Sequence, residues 1–219
     1  MAAQGNASAL VALDHVVVGA TDLQAGCDYV EGKLGLRPQP GGKHAAMGTH
    51  NALLRLGDRL YLEVIAIDPQ GITPKRPRWF DLDEPRMRAS LAEGPRLIHY
   101  VARTDAIAIA RDRCPEDLGP IHPMARGTFS WWMTIPDDGH LPGRGLVPTL
   151  IQWSDARHPA DQMPDAGIRL TALAGEHPDP GPIRAALAKL GLSDAVKVTY
   201  GQSPRLAAMV RTPMGLVTI

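Results

Sequence analysis

The chain has 219 residues, 44% of them hydrophobic, and its 23 Lys plus Arg balance 23 Asp plus Glu. That is enough apolar chain to bury a core, as one large domain or as two or three repeated modules, while the charge balance gives neither the basic field of a nucleic-acid binder nor an acidic tail. The first dozen residues lack a basic n-region, the later apolar runs are too short to span a bilayer, and Cys27 and Cys114 have no second Cys at metal or redox spacing, so the sequence predicts a soluble, reduced, cytoplasmic protein with no signal peptide, membrane span or disulfide framework.

In chain order, Met1 to Ala9 reads as a loose start, and Ala12–Gly19 as a strand carrying the β-branched run Val16, Val17 and Val18 with His15 inside it. Thr21-Asp22 caps a helix over Leu23–Leu34 that places Leu23, Cys27, Val30 and Leu34 on one face, and Gly35 closes it. A second strand lies somewhere between Leu36 and Met47. A hairpin follows, Asn51–Leu56, the turn Gly57-Asp58, and Leu60–Ile67, which completes a βαβββ order.

That order recurs. A second unit begins at Arg96, with the strand IHYVARTD at Ile98–Asp105 carrying His99, a helical stretch at Asp105–Arg113, Gly127–Ile135 (GTFSWWMTI) against Gly48–Leu56 (GTHNALLRL), and Thr149–Trp153 (TLIQW) against Leu60–Val64 (LYLEV). A third runs from Gly167, with strands at Leu170–Ala174, Val196–Tyr200, Arg205–Val210 and Leu216–Ile219 and a helix at Pro182–Leu190, and KLGL occurs at both Lys33–Leu36 and Lys189–Leu192. The predicted class is α+β, with modules at 10–68, 95–154 and 167–219 and Pro- and charge-rich linkers at 69–94 and 155–166.

Equivalent positions in the repeats carry the chemistry. His15 corresponds to His99 in unit two and Thr171 in unit three; Glu63 corresponds to Gln152 in unit two and roughly to Ile219 in unit three. An ionised Glu63 inside LYLEVIAI is costly to bury without a partner. His15, His99 and Glu63 converging on one ion would compensate it, as the two-imidazole, one-carboxylate set suited to Fe, Mn, Zn or Ni, with the Gln152 oxygen as a weak fourth ligand or an outer donor. Left to itself, a lone strand histidine is a hydrogen-bonded core residue. His44, His122, His140, His158 and His177 fall in loops or beside prolines and read as surface, and DDGH at Asp137–His140 reads as a hairpin turn.

The βαβββ units, the opening HVVVGATDL, the hairpin GTHNALLRLGD and the Glu of YLEVIAIDP resemble the glyoxalase-like branch of the vicinal oxygen chelate superfamily over nearly the whole chain. The resemblance implies curved, barrel-like mixed sheets with helices outside, two modules enclosing a cavity, and metal ligands from the first and fourth strand of each, which are His15, Glu63, His99 and Gln152 here. It implies lyase, isomerase, transferase or dioxygenase chemistry at a divalent metal, without choosing among them. The chain departs from glyoxalase I in having Gln152 where a proton-shuttling Glu is usual; Gln cannot take up a proton, so that chemistry falls on Glu63, the candidate catalytic residue, or is absent. The third unit departs from modules counted in twos; it either covers the open side of the barrel or pairs with its counterpart in a homodimer.

His50, Asn51, Phe129, Trp131 and Trp132 are the candidate substrate-binding residues, with Trp153 adding aromatic area, although strand alternation divides them between two faces. Pro74–Asp81, with Arg76, Arg78 and Trp79, reads as a loop that could gate a pocket or bind an anion, or as a solvated linker with one anchoring aromatic. Two functions stand: a metal-dependent enzyme acting on a small oxygenated substrate, or a metal-free protein that sequesters a small molecule in the manner of bleomycin-resistance proteins.

Overall fold

The structure is a computed structural model that describes residues 11–219; the loose start read at Met1 to Ala9 lies outside the described residues. The first unit runs β1 (Val11–Gly19), α1 (Leu23–Leu34), β2 (Gln39–His44), β3 (Thr49–Gly57) and β4 (Leu60–Ile67). The second runs β5 (Arg96–Thr104), α3 (Ile107–Arg113), β6 (Ile121–Arg126), β7 (Phe129–Thr134) and β8 (Thr149–Trp153), and α2 (Pro85–Ala92) stands between the two units. The third runs β9 (Arg169–His177), α4 (Pro180–Leu190), β10 (Val196–Tyr200), β11 (Arg205–Thr212) and β12 (Gly215–Thr218).

Eight strands form one mixed sheet in the order β2-β3-β4-β1-β5-β8-β7-β6, curved into a nearly closed barrel with helices outside. The two units join where β1 runs antiparallel to β5, and each first strand runs parallel to the last of its own unit, β1 to β4 and β5 to β8. The third unit forms a separate four-stranded sheet, β10-β9-β11-β12.

Helix α1 forms where the sequence signals it. The Asp22 side chain accepts the Ala25 N–H at 3.0 Å, and Gly35 ends the helix at a left-handed φ of 73°. Cys27, Val30 and Leu34 are buried against the outer face of the sheet, at about 1.5–3 kcal/mol for each large side chain. Gly26 lets the helix approach, since a Cβ there would lie 2.4 Å from Val64 Cγ1. Val16, Val18, Leu62 and Val64 share this outer core with Ile183 and Leu187 of α4, whereas Val17, Ile65, Val101, Ile151 and Met133 point into the barrel. This is the period-2 division of a strand between two buried faces.

The linker at 69–94 is partly ordered against the barrel. It contains α2, with Pro85 in its first turn, and it drives Trp79 and Phe80, each 4% exposed, into the barrel core. Among the described residues no helix is long and apolar enough to cross a membrane.

Candidate active site

The site forms on the inner face of β1, β3 and β4 and starts with a β-bulge. Leu13 pairs with Ala102 and His15 with Val101, so Asp14 is an extra residue in β1, and both Asp14 and His15 are buried. Asp14 Oδ1 lies 2.7 Å from His15 Nδ1, while its Oδ2 accepts the Trp153 indole N–H at 2.9 Å and meets His158 Nε2 at 3.1 Å. Burial alone would raise the Asp14 pKa. The hydrogen bonds from His15 and His158 outweigh it and hold the carboxyl well below the usual range. His158 Nδ1 accepts the Ala160 N–H, so that ring is held at both nitrogens.

With Nδ1 committed to Asp14, His15 presents Nε2 to Glu63, 3.7 Å from Oε2, and the ring stacks on Tyr61 at 4.5 Å between centroids. Glu63 Oε1 accepts the Asn51 side-chain N–H at 2.5 Å, and Asn51 Oδ1 accepts the Gly42 N–H at 2.9 Å, which fixes the amide orientation. His44 Nδ1 meets Thr49 Oγ1 at 3.1 Å, and its Nε2 is 4.0 Å from Glu63 Oε1. Burial first, and the Arg126 charge second, push the His44 pKa down to about 3, so the ring is neutral. Burial, with Asp14 and Glu63 next, raises the Tyr61 hydroxyl well above its usual value.

Trp131, Trp153, Met133 and Ile151 form the apolar wall, Arg126 reaches in from β6, and Trp79 and Phe80 form the roof. The cavity between these walls is ≈ 20 Å³. The cavity is therefore narrow, with room for about one water. Phe80 and Asp81 have φ of 61° and 57°, and this left-handed pair turns the chain so that the roof enters the barrel.

The residues expected from sequence divide between locations. His15, Glu63, Asn51 and Trp131 come together around the cavity, and Phe129 packs edge-on to Trp153 at 5.8 Å. Alternation puts His50 on the face opposite Asn51, and Trp132 is 45% exposed on the outer face. Gln152 is opposite Trp132, and its Oε1 accepts the Ile107 N–H at the start of α3. His99 faces inward but is committed: Nδ1 meets the Gly145 carbonyl at 3.2 Å and Nε2 accepts the Thr149 N–H at 3.1 Å. Burial lowers its pKa to about 3.

These placements test the divalent metal that the resemblance implies. His99 has no free lone pair, Gln152 is on the far side of the sheet, and among the described residues no three His, Cys, Asp or Glu side chains are grouped to hold a metal ion. The four-residue set does not fit one ion. His44 and His158, read as surface, are 3% and 1% exposed, and they belong with Asp14, Tyr61 and Arg126 to the residues that sequence reasoning passed over. The signal for Asp14 was a carboxylate in an otherwise apolar strand next to the histidine already singled out.

The family described as a glyoxalase-like domain matches residues 13–191. No curated protein matches the sequence. Among solved structures, a hypothetical protein from Staphylococcus aureus aligns at a TM-score of 0.55 and 14% identity, over 95% of this chain and 84% of that one. Methylmalonyl-CoA epimerases of Streptomyces coelicolor (TM-score 0.44, 19% identity, 68% of this chain and 99% of that one) and Mycobacterium tuberculosis (0.42, 20%, 70% and 95%) also align. At such identities the likeness is one of fold and transfers no substrate. With its family match spanning most of the sequence and its paired βαβββ units closing one barrel, the chain belongs to the glyoxalase-like domain family of the vicinal oxygen chelate superfamily.

Proposed function

We propose that the protein is an enzyme that moves a proton on a small oxygenated substrate inside the barrel, with Glu63 as the base. The observation that carries this reading is the pair of oriented acid-base groups facing one cavity: Glu63 held by Asn51, and 3.7 Å away His15 held by Asp14. Glu63 takes the proton from a carbon next to a carbonyl; the C–H electron pair becomes the enolate double bond, and the carbonyl oxygen gains the charge. The proton then returns to the substrate from Glu63 or by way of His15 Nε2. No step passes through a metal, because the donor set does not fit one.

In this reading the modules at 10–68 and 95–154 supply the site. The module at 167–219 presents Met209, Tyr200 and Leu216, all exposed, to a second chain as a homodimer surface. The free thiols of Cys27 and Cys114 suit a reducing, cytoplasmic setting. The second reading, a binding protein that holds its ligand unchanged, is favoured by the aromatic lining of the cavity.

The test is exchange of carbon-bound hydrogen for deuterium in 2-oxo and 3-oxo acids, followed by NMR with and without a chelator. Exchange that survives the chelator and is lost in Glu63→Gln supports the proposal. Ligand binding without exchange sinks it in favour of the binding protein, and exchange that requires added metal overturns the metal-free route.

A further inference from the structure

Arg126 is 9% exposed, faces into the barrel, and among the described residues has neither a carboxylate within 4.0 Å nor a side-chain hydrogen-bond acceptor. A guanidinium lodged among aromatic walls with little solvent contact left favours an anion that pairs with it. Other arginines do reach carboxylates, as Arg78 does with Asp83 at 2.7 Å. The Arg126 stem is also seated for this position. It crosses the gap between the two sheet edges, β6 and β2, and lies where a Cβ on Gly42 would be, 3.0 Å from both its Cγ and its Cδ. A side chain at position 42 would displace it.

Two further donors stand beside it unpaired. The indole nitrogens of Trp79 and Trp131 are fully buried with no partner among the described residues, and both side chains line the same cavity as Arg126. A buried N–H without an acceptor costs about 1–3 kcal/mol, so a pair of them beside an unpaired guanidinium calls for a strong acceptor. No group at the cavity floor reaches these indoles: Glu63 Oε1 accepts from Asn51, Glu63 Oε2 faces His15 at 3.7 Å, and Asp14 is taken by His15, His158 and Trp153. The aromatic walls meanwhile suit a flat or apolar body.

We propose that the cavity, widened by a shift of its Trp79–Phe80 roof, takes a small carboxylate with an apolar or aromatic body, anchored by Arg126, with the indole N–H groups of Trp79 and Trp131 as further donors. The proposal rests on reading this cavity as the active site and adds the substrate class. The carboxylate at Arg126 leaves the remainder of the ligand directed toward Glu63 and His15, which line the opposite strands.

The test compares benzoate with benzamide, equal in shape and different in charge, by calorimetry on the full chain. The wild type is expected to bind benzoate roughly tenfold or more tighter than benzamide. Arg126→Met keeps the stem and removes the charge; it should abolish that preference and leave benzamide affinity within about twofold, which also shows that the variant is folded, while Arg126→Lys should keep part of the preference. Equal affinities in the wild type, no benzoate binding at about 20 mM, or an undiminished preference in Arg126→Met would each overturn the proposal. Glu63→Gln separates this from the catalytic reading. If deuterium exchange is absent and the benzoate preference persists in wild type and Glu63→Gln, the anion site stands and proton transfer falls.

Discussion

Asp14 and His15 are consecutive in one strand, yet the bulge at Asp14 allows Asp14 Oδ1 to approach His15 Nδ1 to 2.7 Å inside the barrel. A regular strand would send the two side chains to opposite faces. Asp14 also meets His158 and Trp153, so it ties β1 to β8 and to the segment beyond it. Asp14→Ala leaves three buried donors without an acceptor, and we expect a loss of about 3–5 kcal/mol in urea unfolding. A loss below about 0.5 kcal/mol would show that the network contributes nothing.

The Glu63 carboxylate depends on Asn51 in a similar way. Asn51→Asp would set a second carboxylate against Glu63, at a contact that is now 2.5 Å, and two such groups share a proton rather than both ionise. The pH dependence of deuterium exchange should therefore move to higher pH in Asn51→Asp, with the maximum rate recoverable. A profile that stays in place would mean that Glu63 is not the base.

What could be read in the sequence and what could not differ for a physical reason. The caps Asp22 and Gly35, the valine run of β1 and the β3–β4 hairpin are local signals, and the elements form where those signals stand. Glu63 was visible because a carboxylate in an apolar run needs an explanation. The missing parts come from contacts between distant segments. His44 sits at the end of a Gly/Pro-rich strand and His158 beside Pro159, and both are buried only because β3, β4 and the 3-10 turn at Pro159–Gln162 close around them. Arg126 precedes the turn at Gly127, a place where an arginine is ordinarily solvated; closure of the barrel against Gly42 buries it. Gln152 was matched to Glu63 by the repeat, but its side chain caps α3 instead.

The buried neutral histidines set an acid limit. His44 and His99 have pKa values lowered to about 3, against an ordinary 6.5 in the unfolded chain. As pH falls below 6.5 the unfolded state gains protons that the folded state does not, so stability declines from there down to about pH 3, by roughly 1.4 kcal/mol per pH unit for each group. Urea unfolding at pH 7, 5.5 and 4.5 should show this decline, with a smaller slope in His99→Gln. Equal stability at pH 7 and 4.5 would mean that these rings are not held neutral by the fold.

The roof over the cavity should open in a pH-dependent manner. Its left-handed turn at Phe80 and Asp81 is held by the Asp81 N–H to the Gly139 carbonyl at 3.0 Å and by Asp81 Oδ1, which is 2.7 Å from His140 Nδ1. The hydrogen bond to Asp81, with Asp138 and Glu84 also facing the ring, raises the His140 pKa above its usual value. A raised histidine pKa means that this latch is fully made below about pH 6.5 and is lost as pH rises through the higher folded value. Because the cavity is only ≈ 20 Å³, a ligand the size of benzoate can enter only if Trp79 and Phe80 move. The association rate of benzoate, measured by stopped flow, should accordingly rise between pH 6 and 9 in the wild type, and in His140→Ala it should be faster at pH 6 and nearly independent of pH. A rate that is flat across this range in the wild type would separate the latch from ligand entry.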